Sequence, residues 1–480
     1  MRQTGLAGLR HRSPVHGLDR RNLGPAEVLA QSVSSAAPAA AMAAAPVIAA
    51  STAGSGTLWS FVVATVVSLL IGSSVGQFTR RMAVAGSLYS LTAKGLGPAA
   101  AFTSGVALLV GYGVLAMGAL TGAATYLGAL LARIGLTAAG SRPTLLVAVV
   151  VLGLLATAGV LARVRLSARV VLLVEALSIS LMVVVFVVLL GASAVTEAPP
   201  AAQPVALPEP HLLGIAAGVL PALSAFIGFE AATALGVEAR RPFRTIPRVV
   251  MWTASGAGVL LLFATYTQQV SNAWAAGSEP VPALAIAIGQ PWLAVVLDIG
   301  ITMSFTACTL ATLNALVRVV FSMARDGIAP AALGVTHRTR RIPHVAIAAV
   351  LPIITAVPVA LIAAGIPGAD VLATVLTVAT VGYLVAYLLV SLAAPLFLRR
   401  IGELTPLPVI VAAVLVPVLL VALVAFVASA WGGVIPIVMG VIAVAGLAWW
   451  TWLRIRRPER LAAIGVYDET VAADVLDGAS

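Results

Sequence analysis

From Thr144 to Ala162 the chain reads TLLVAVVVLGLLATAGVLA, nineteen residues without a charge. About 20 helical residues cross a hydrocarbon core of ~30 Å, so such a run is long enough to span a membrane. Inside lipid the backbone must satisfy its own polar groups, as a helix or as a closed barrel, and barrel strands alternate apolar with polar residues. This run does not alternate. Similar runs recur at 26–49, 57–76, 98–131, 168–191, 212–238, 248–268, 291–324, 344–365, 369–397, 406–428 and 433–454, which with 143–162 makes twelve spans. Only 9% of the residues are charged, against roughly 25% in soluble domains. The expected fold is therefore an all-α polytopic membrane protein with 12 transmembrane helices.

The formal net charge is +11, and its placement decides what it means. With the N-terminus taken as cytoplasmic, 25 of the 28 Lys and Arg residues fall in the tails and in alternate loops. Arg133 and Arg142 lie on the other side, and Arg318 lies within a span. That asymmetry follows the positive-inside rule. It predicts a cytoplasmic-membrane protein with both termini in the cytoplasm and gives no reason to expect a nucleic-acid partner; oligomeric state is left open. The basic start followed by SSAAPAAAMAAAPVIAA imitates a signal peptide, but cleavage would leave eleven helices and conflict with the loop charges. Cys308 is the only cysteine, so an intrachain disulfide or a multi-cysteine metal cluster is not expected.

Two spans are interrupted. Span 1 places Ser32, Ser34 and Ser35 ahead of Pro38, and a proline inside a helix kinks or opens it. Span 6, five helices later and so running the opposite way, contains SAFIGFE from Ser224 to Glu230. Interruptions at matching positions of two inverted halves point to a midplane binding site in transporters, although Gly, Ser and Pro also serve plain helix packing. Gly228 weakens the helix by about 1 kcal/mol relative to Ala. Glu230 lies eight residues before Glu238, and ~12 Å of helix would put it near the middle of the membrane. An ionised carboxylate there costs at least ~2.5–3.5 kcal/mol, so it should face a cavity, a partner or a proton. It is read either as a proton carrier or as a brace that holds an unwound segment by hydrogen bonds. Phe226 is either a lid over a solute or a core residue.

FIGFEAATALGVEARRPFRTIPRVV (Phe226 to Val250) resembles the sixth-helix signature of the amino acid–polyamine–organocation permeases. NALVRVVFSMARDGIAPAALGVTHRTRRIP (Asn314 to Pro343) is similar to their eighth helix and following loop, and AGSLYSLTAKGLGPAAAFTSG (Ala85 to Gly105) to the stretch before their third helix. The resemblance implies a leucine-transporter-like 5+5 inverted repeat plus two helices. On that scheme 1–24 is a cytoplasmic tail, 25–191 the first repeat, 192–210 an extracellular loop and 211–397 the second repeat. Residues 398–455 then hold spans 11 and 12, and 456–480 form a second cytoplasmic tail. It also implies a solute bound by alternating access between spans 1 and 6, with contacts from spans 3, 8 and 10. Carried over, the solute would meet Ser34, Ser35, Ala36, Ala37 and Pro38 on span 1 and Ala225, Phe226, Ile227, Gly228 and Phe229 on span 6. Glu238, Arg318, Arg325 and Asp326 would close an inner gate by ion pairing, or else anchor topology and cap loops. The glycine-rich run that many amino acid permeases carry in span 1 is replaced by Ser34-Ser35-Ala36-Ala37-Pro38.

No P-loop is present, since the single lysine, Lys94, is followed by Gly. His337 and His344 lack catalytic or metal-ligand spacing. An enzyme is not expected, nor any cofactor or bound metal. Transport must then draw on an ion gradient, on exchange or on the solute gradient, with the proton the expected coupling ion and sodium left open. Glu230 and Glu175 are the candidate coupling groups. Glu175 is either a second protonatable site or a partner for basic residues near Arg169. Ser304, Thr306 and Thr309 are candidates for a sodium site or for bonding back to their own helix. The expected function is secondary active transport of an amino acid by proton-coupled symport or exchange. The alternative is a polyamine or other organic amine, whose ammonium Glu230 would meet directly.

Overall fold

The computed structural model describes residues 18, 20–161, 164–195, 212–271, 280–287, 289–337, 342–429 and 433–465. The 192–210 loop beyond residue 195, most of the N-tail, the C-tail beyond 465 and Arg163, Arg338, Arg340 and Arg341 lie outside the described residues. The described chain is mainly helical, and Leu23 bridges to Ala239 outside the helices. Its first half runs α1 (Pro25–Ala36), α2 (Pro38–Ala53), α3 (Thr57–Thr79), α4 (Leu88–Leu96), α5 (Pro98–Arg133), α6 (Arg142–Leu161) and α7 (Val164–Val195). The second half runs α8 (Leu212–Ser224), α9 (Pro242–Val270), α10 (Pro280–Ala287), α11 (Pro291–Arg325), α12 (His344–Ala363) and α13 (Gly368–Arg400). It ends with α14 (Pro406–Ser429), α15 (Val434–Arg456) and α16 (Pro458–Ala462). Proline opens α1, α2, α5, α9, α11 and α16, where its missing N–H has no helical partner to lose.

Ten stretches of described residues are long and apolar enough to cross a membrane. The first, Pro25–Thr79, contains α1, α2 and α3, and α8 is a shorter apolar helix. The expected span at 26–49 is divided at Ala37, and the one at 212–238 is α-helical only to Ser224. Residues 225–230 are turns and Ala231–Leu235 is a 3-10 segment. The helical-rise estimate for Glu230 therefore does not apply, because the chain between Glu230 and Glu238 is not an α-helix. The short helices α4, α10 and α16 carry no span-length apolar run and were not expected.

The interior is built around α5, which packs along both α11 and α13, with α1, α2 and α8 beside them. Approach is close because the contact positions are small. A Cβ added at Gly382 on α13 would lie 2.6 Å from the Ala107 carbonyl oxygen and 2.8 Å from the Gly111 nitrogen on α5. Small residues of this kind let membrane helices pack backbone to backbone. Large apolar side chains on α6, α7, α14 and α15, among them Leu154, Leu173, Val421 and Val444, point outward as lipid-facing surface does. One end of the bundle gathers the arginines of Arg81, Arg240, Arg325 and Arg400 and is called the basic face below; there Arg81 pairs with Glu403 at 2.7 Å and Arg400 donates to the Lys94 carbonyl at 2.7 Å.

Gly382→Val is expected to push α5 from α13 and cost ~1–3 kcal/mol by overpacking. Thermal unfolding of the purified protein in detergent checks this, and an unchanged midpoint would show that the interface has slack.

Candidate functional site

The two breaks have local causes. Ala37 is in the left-handed region (φ 45°, ψ 59°), and Pro38 after it disfavours the right-handed helical conformation at that position. Gly228 has φ 93°, a conformation that costs glycine alone nothing. The breaks lie against one another. A Cβ at Gly228 would fall 2.6 Å from Ser35 Oγ and 2.7 Å from the Ser35 carbonyl oxygen. Ser32 donates its hydroxyl to the Phe229 carbonyl, and Cys308 Sγ donates to the Ser35 carbonyl at 3.3 Å. Carbonyls released by the breaks thus find donors across the interface, as buried backbone groups require.

Glu230 is fully buried beside the second break. Tyr112 of α5 donates to its Oε1 at 2.8 Å, and Tyr387 of α13 donates to its Oε2. The Tyr387 oxygen also receives the Gly228 amide at 3.4 Å. Ser87 joins the cluster, bonded to Tyr112 at 3.1 Å and to Thr233 at 2.8 Å, and it adopts positive φ (54°) to do so. Both carboxylate oxygens are therefore occupied by tyrosine hydroxyls from two different helices.

Glu175 is equally buried but differently held. Its Oε1 accepts Ser304 Oγ at 2.9 Å and the Ala39 amide at 3.4 Å. It does not pair with Arg169, whose guanidinium instead meets Glu27 at 3.0 Å. Of the three span-8 hydroxyls, Ser304 serves Glu175, whereas Thr306 and Thr309 bond back to Thr302 and Phe305 of their own helix.

Between the breaks lies a cavity of ≈ 40 Å³. Ser35, Ala36, Ala37, Ala225 and Ile227 of the expected contacts line it, whereas Ser34, Pro38, Phe226, Gly228 and Phe229 do not. Phe226 is packed in the core rather than lying over the cavity. The rest of the wall is alanines of α2 with Leu115, Ala119, Ser224, Phe305, Cys308, Leu372 and Leu376, and among these described residues no charged side chain lines the cavity. The Ser34 and Ser35 hydroxyls are buried without hydrogen-bond partners.

Toward the basic face a second polar cluster ties helices together. Arg318 pairs with Glu238 at 2.7 Å, both buried, and also donates to the Asn314 side chain and carbonyl. Asn314 in turn donates to Gln31 at 2.7 Å, and Gln31 donates to the Ala311 carbonyl at 2.7 Å. The N-terminal segment crosses here, with the Asn22 and Leu23 amides on the Glu238 carbonyl and the Arg240 amide on the Leu23 carbonyl. Arg325 lies over the Phe321 ring, and Asp326 accepts Tyr89 at 2.5 Å and the Gly465 amide at 3.4 Å. The structure thus joins Glu238 with Arg318 and gives Arg325 and Asp326 further contacts of other kinds. Tyr112, Tyr387, Ser87 and Ser304 complete the site; Ser304 was expected only as a sodium ligand or a back-bonded hydroxyl, and the other three were not expected.

Two broken helices beside a cavity, in a bundle of membrane-length helices, define a multi-pass helical membrane protein. The family model for amino acid permeases matches residues 27–452, and the chain belongs to that family. It is 28% identical over 309 residues to a branched-chain amino acid permease, BcaP, of Bacillus subtilis, covering 62% of this chain and 65% of that one. It is 25% identical over 369 residues to a methylthioribose transporter of the same organism, covering 74% and 76%. Human cationic amino acid transporter 4 is 28% identical over 61% of this chain and 47% of its own. The alignment thus spans just under two thirds of the first relative and about half of the human one. The fold is similar to that of a manganese transporter of Eremococcus coleocola, with TM-score 0.56 at 13% identity over 92% of this chain and 95% of that one. Among the described residues no group of three or more His, Cys, Asp or Glu lies together as metal ligands would.

Glu238→Gln is expected to leave the Arg318 charge buried and unpaired, at a cost of ~3–5 kcal/mol. The combined change Glu238→Leu with Arg318→Met should recover most of that loss. Unfolding midpoints of both variants check the pair, and equal midpoints for the two would show that the ion pair carries no such penalty.

Proposed function

We propose that this protein is a secondary active transporter of amino acids with apolar side chains, working by alternating access in the cytoplasmic membrane with both termini in the cytoplasm. On this reading the broken elements count as single spans, giving twelve, arranged as inverted repeats over 25–191 and 211–397 followed by spans 11 and 12. The observation that carries the substrate assignment is the cavity between the two breaks, whose wall is uncharged and apolar apart from Ser35 and Ser224. An apolar pocket with a few polar groups suits an aliphatic side chain, with Ser35 and the break's backbone left to hold the polar end.

The amine alternative needs a carboxylate free to meet ammonium. Glu230 is not on the cavity wall, and both of its oxygens are already held by Tyr112 and Tyr387. It is assigned the bracing role. The branched-chain permease among the relatives points the same way. The cavity's ≈ 40 Å³ is room for a few waters, each needing ~10–15 Å³. Its walls must part to admit an amino acid, as a change of conformation during transport would require. The Glu238–Arg318 pair is assigned to the inner gate, with Arg325 and Asp326 at its rim.

Reconstituted protein is expected to show counterflow of leucine that excess isoleucine or valine inhibits. Inhibition by putrescine but not by neutral amino acids would overturn the assignment. Glu230→Gln, if it loosens the brace, should reduce gradient-driven uptake and exchange alike while the protein stays in the membrane. Loss of the gradient-driven mode alone would make Glu230 the proton carrier instead.

A further inference from the structure

Glu175 of α7 lies at the N-terminal end of α2, where a helix presents unmet amides and the positive end of its dipole. Oε1 takes the Ala39 amide and the Ser304 hydroxyl, and Ser304 Oγ in turn takes the Ala40 amide at 3.3 Å. The first free amides of this 16-residue helix are thus covered by one carboxylate and its hydroxyl partner. Oε2 has no hydrogen-bond partner, although the residue is fully buried. One turn along α11 from Ser304, Cys308 touches the Ser35 carbonyl, and Cys308, Ser35 and Ala40 all line the cavity. The Ser35 hydroxyl, also buried, has no partner either. A carboxyl group therefore already occupies the helix end beside the place assigned to the substrate, with one of its oxygens and the Ser35 hydroxyl unused.

We propose that Glu175 is the coupling residue, a resident anion at the α2 terminus that must take a proton before the amino acid's carboxylate can settle there. This rests on the reading that the cargo is an amino acid. A helix N-terminus offers roughly half a unit of positive charge, enough to favour one anion. Two carboxylates sharing that end, away from water, repel strongly. A proton placed on Oε2 removes the resident charge without breaking a hydrogen bond, since Oε1 keeps Ser304 and Ala39. The positive end of the α2 dipole, no longer matched by a charge, and the Ser35 hydroxyl then face the incoming carboxylate. Proton and substrate load together and leave together.

Few other charges bear on this corner. α2 carries no titratable residue, and Cys308 is the titratable side chain of α11 beside Ser304. The remaining groups on the helices packed against α7 lie toward their ends or are engaged elsewhere: Glu27 of α1 with Arg169, Asp298 of α11 with Arg133, and Arg318 with Glu238. Arg325 of α11, Arg142 of α6, and Arg244, Arg248 and Tyr266 of α9 complete the set.

Calorimetric titration of the purified full chain with leucine, in buffers of different ionisation enthalpy, counts the protons. Wild type is expected to take up about one proton per leucine at alkaline pH, with affinity falling about tenfold per pH unit there. Glu175→Gln should take up none and bind with the same affinity from about pH 5 to 9. Ser304→Ala removes a donor from the anion, so its binding midpoint should move to higher pH. Proton uptake by Glu175→Gln equal to wild type overturns the proposal, as does an unmoved midpoint in Ser304→Ala, which decides the matter alone if the glutamine variant does not fold. Absence of leucine binding to wild type at every pH overturns the amino acid assignment and this coupling with it; leucine binding with undiminished proton uptake in Glu175→Gln overturns the coupling only.

Discussion

A backbone amide or carbonyl released from a helix inside a bilayer has no water to turn to, and each one left unmet costs several kcal/mol. That constraint organises the centre of this protein. Two helices are opened, at Ala37 and at Gly228, and the groups they release are met by side chains from other helices: Ser32 on the Phe229 carbonyl, Cys308 on the Ser35 carbonyl, Tyr387 on the Gly228 amide, and Glu175 and Ser304 on the Ala39 and Ala40 amides. The breaks are tolerated because α7, α11 and α13 deliver those partners. Any motion that separates these helices must exchange the same hydrogen bonds for others.

The two buried glutamates answer that constraint in different ways. Glu230 is gripped on both oxygens, and its tyrosines come from α5 and α13, so it ties the second break to the helix pair at the core of the bundle. Glu175 is gripped on one oxygen only and stands at the end of the first break. A fully satisfied carboxylate is suited to holding a shape, while one with an unused oxygen beside a cavity has room to change its protonation. The ion pair toward the basic face is a third arrangement. Glu238 and Arg318 neutralise each other, and Asn314 and Gln31 extend the contact from α11 to α1.

Much of this was legible in the residues themselves. Uninterrupted apolar runs gave most spans within a few residues, and Pro38 and Gly228 marked both breaks, because the stereochemistry of proline and glycine acts locally. The extent of the second break was not legible. Apolar residues from Ala231 to Leu235 read as a continuing helix, yet they form a tighter turn, with Ser87 bonded to Thr233 and Gly236 pressed against Val84. Nor did spacing reveal the tyrosines. Tyr112 and Tyr387 lie far from Glu230 in sequence, and a tyrosine in an apolar span reads equally well as packing. One of the two readings of Glu175, a partnership with basic residues near Arg169, followed helix rise along one helix, whereas its partner Ser304 stands on another.

Composition, periodicity and loop charge alone determined that this chain lives in a membrane as a bundle of helices, since lipid leaves a backbone few other choices. The positions of the two breaks were likewise written in Pro38 and Gly228. Tertiary structure alone decided which buried carboxylate is clamped and which is half free, and which side chains line the cavity. Those outcomes depend on distances between helices that are remote in sequence, set by close packing at glycines such as Gly382, and no local rule in the chain encodes them.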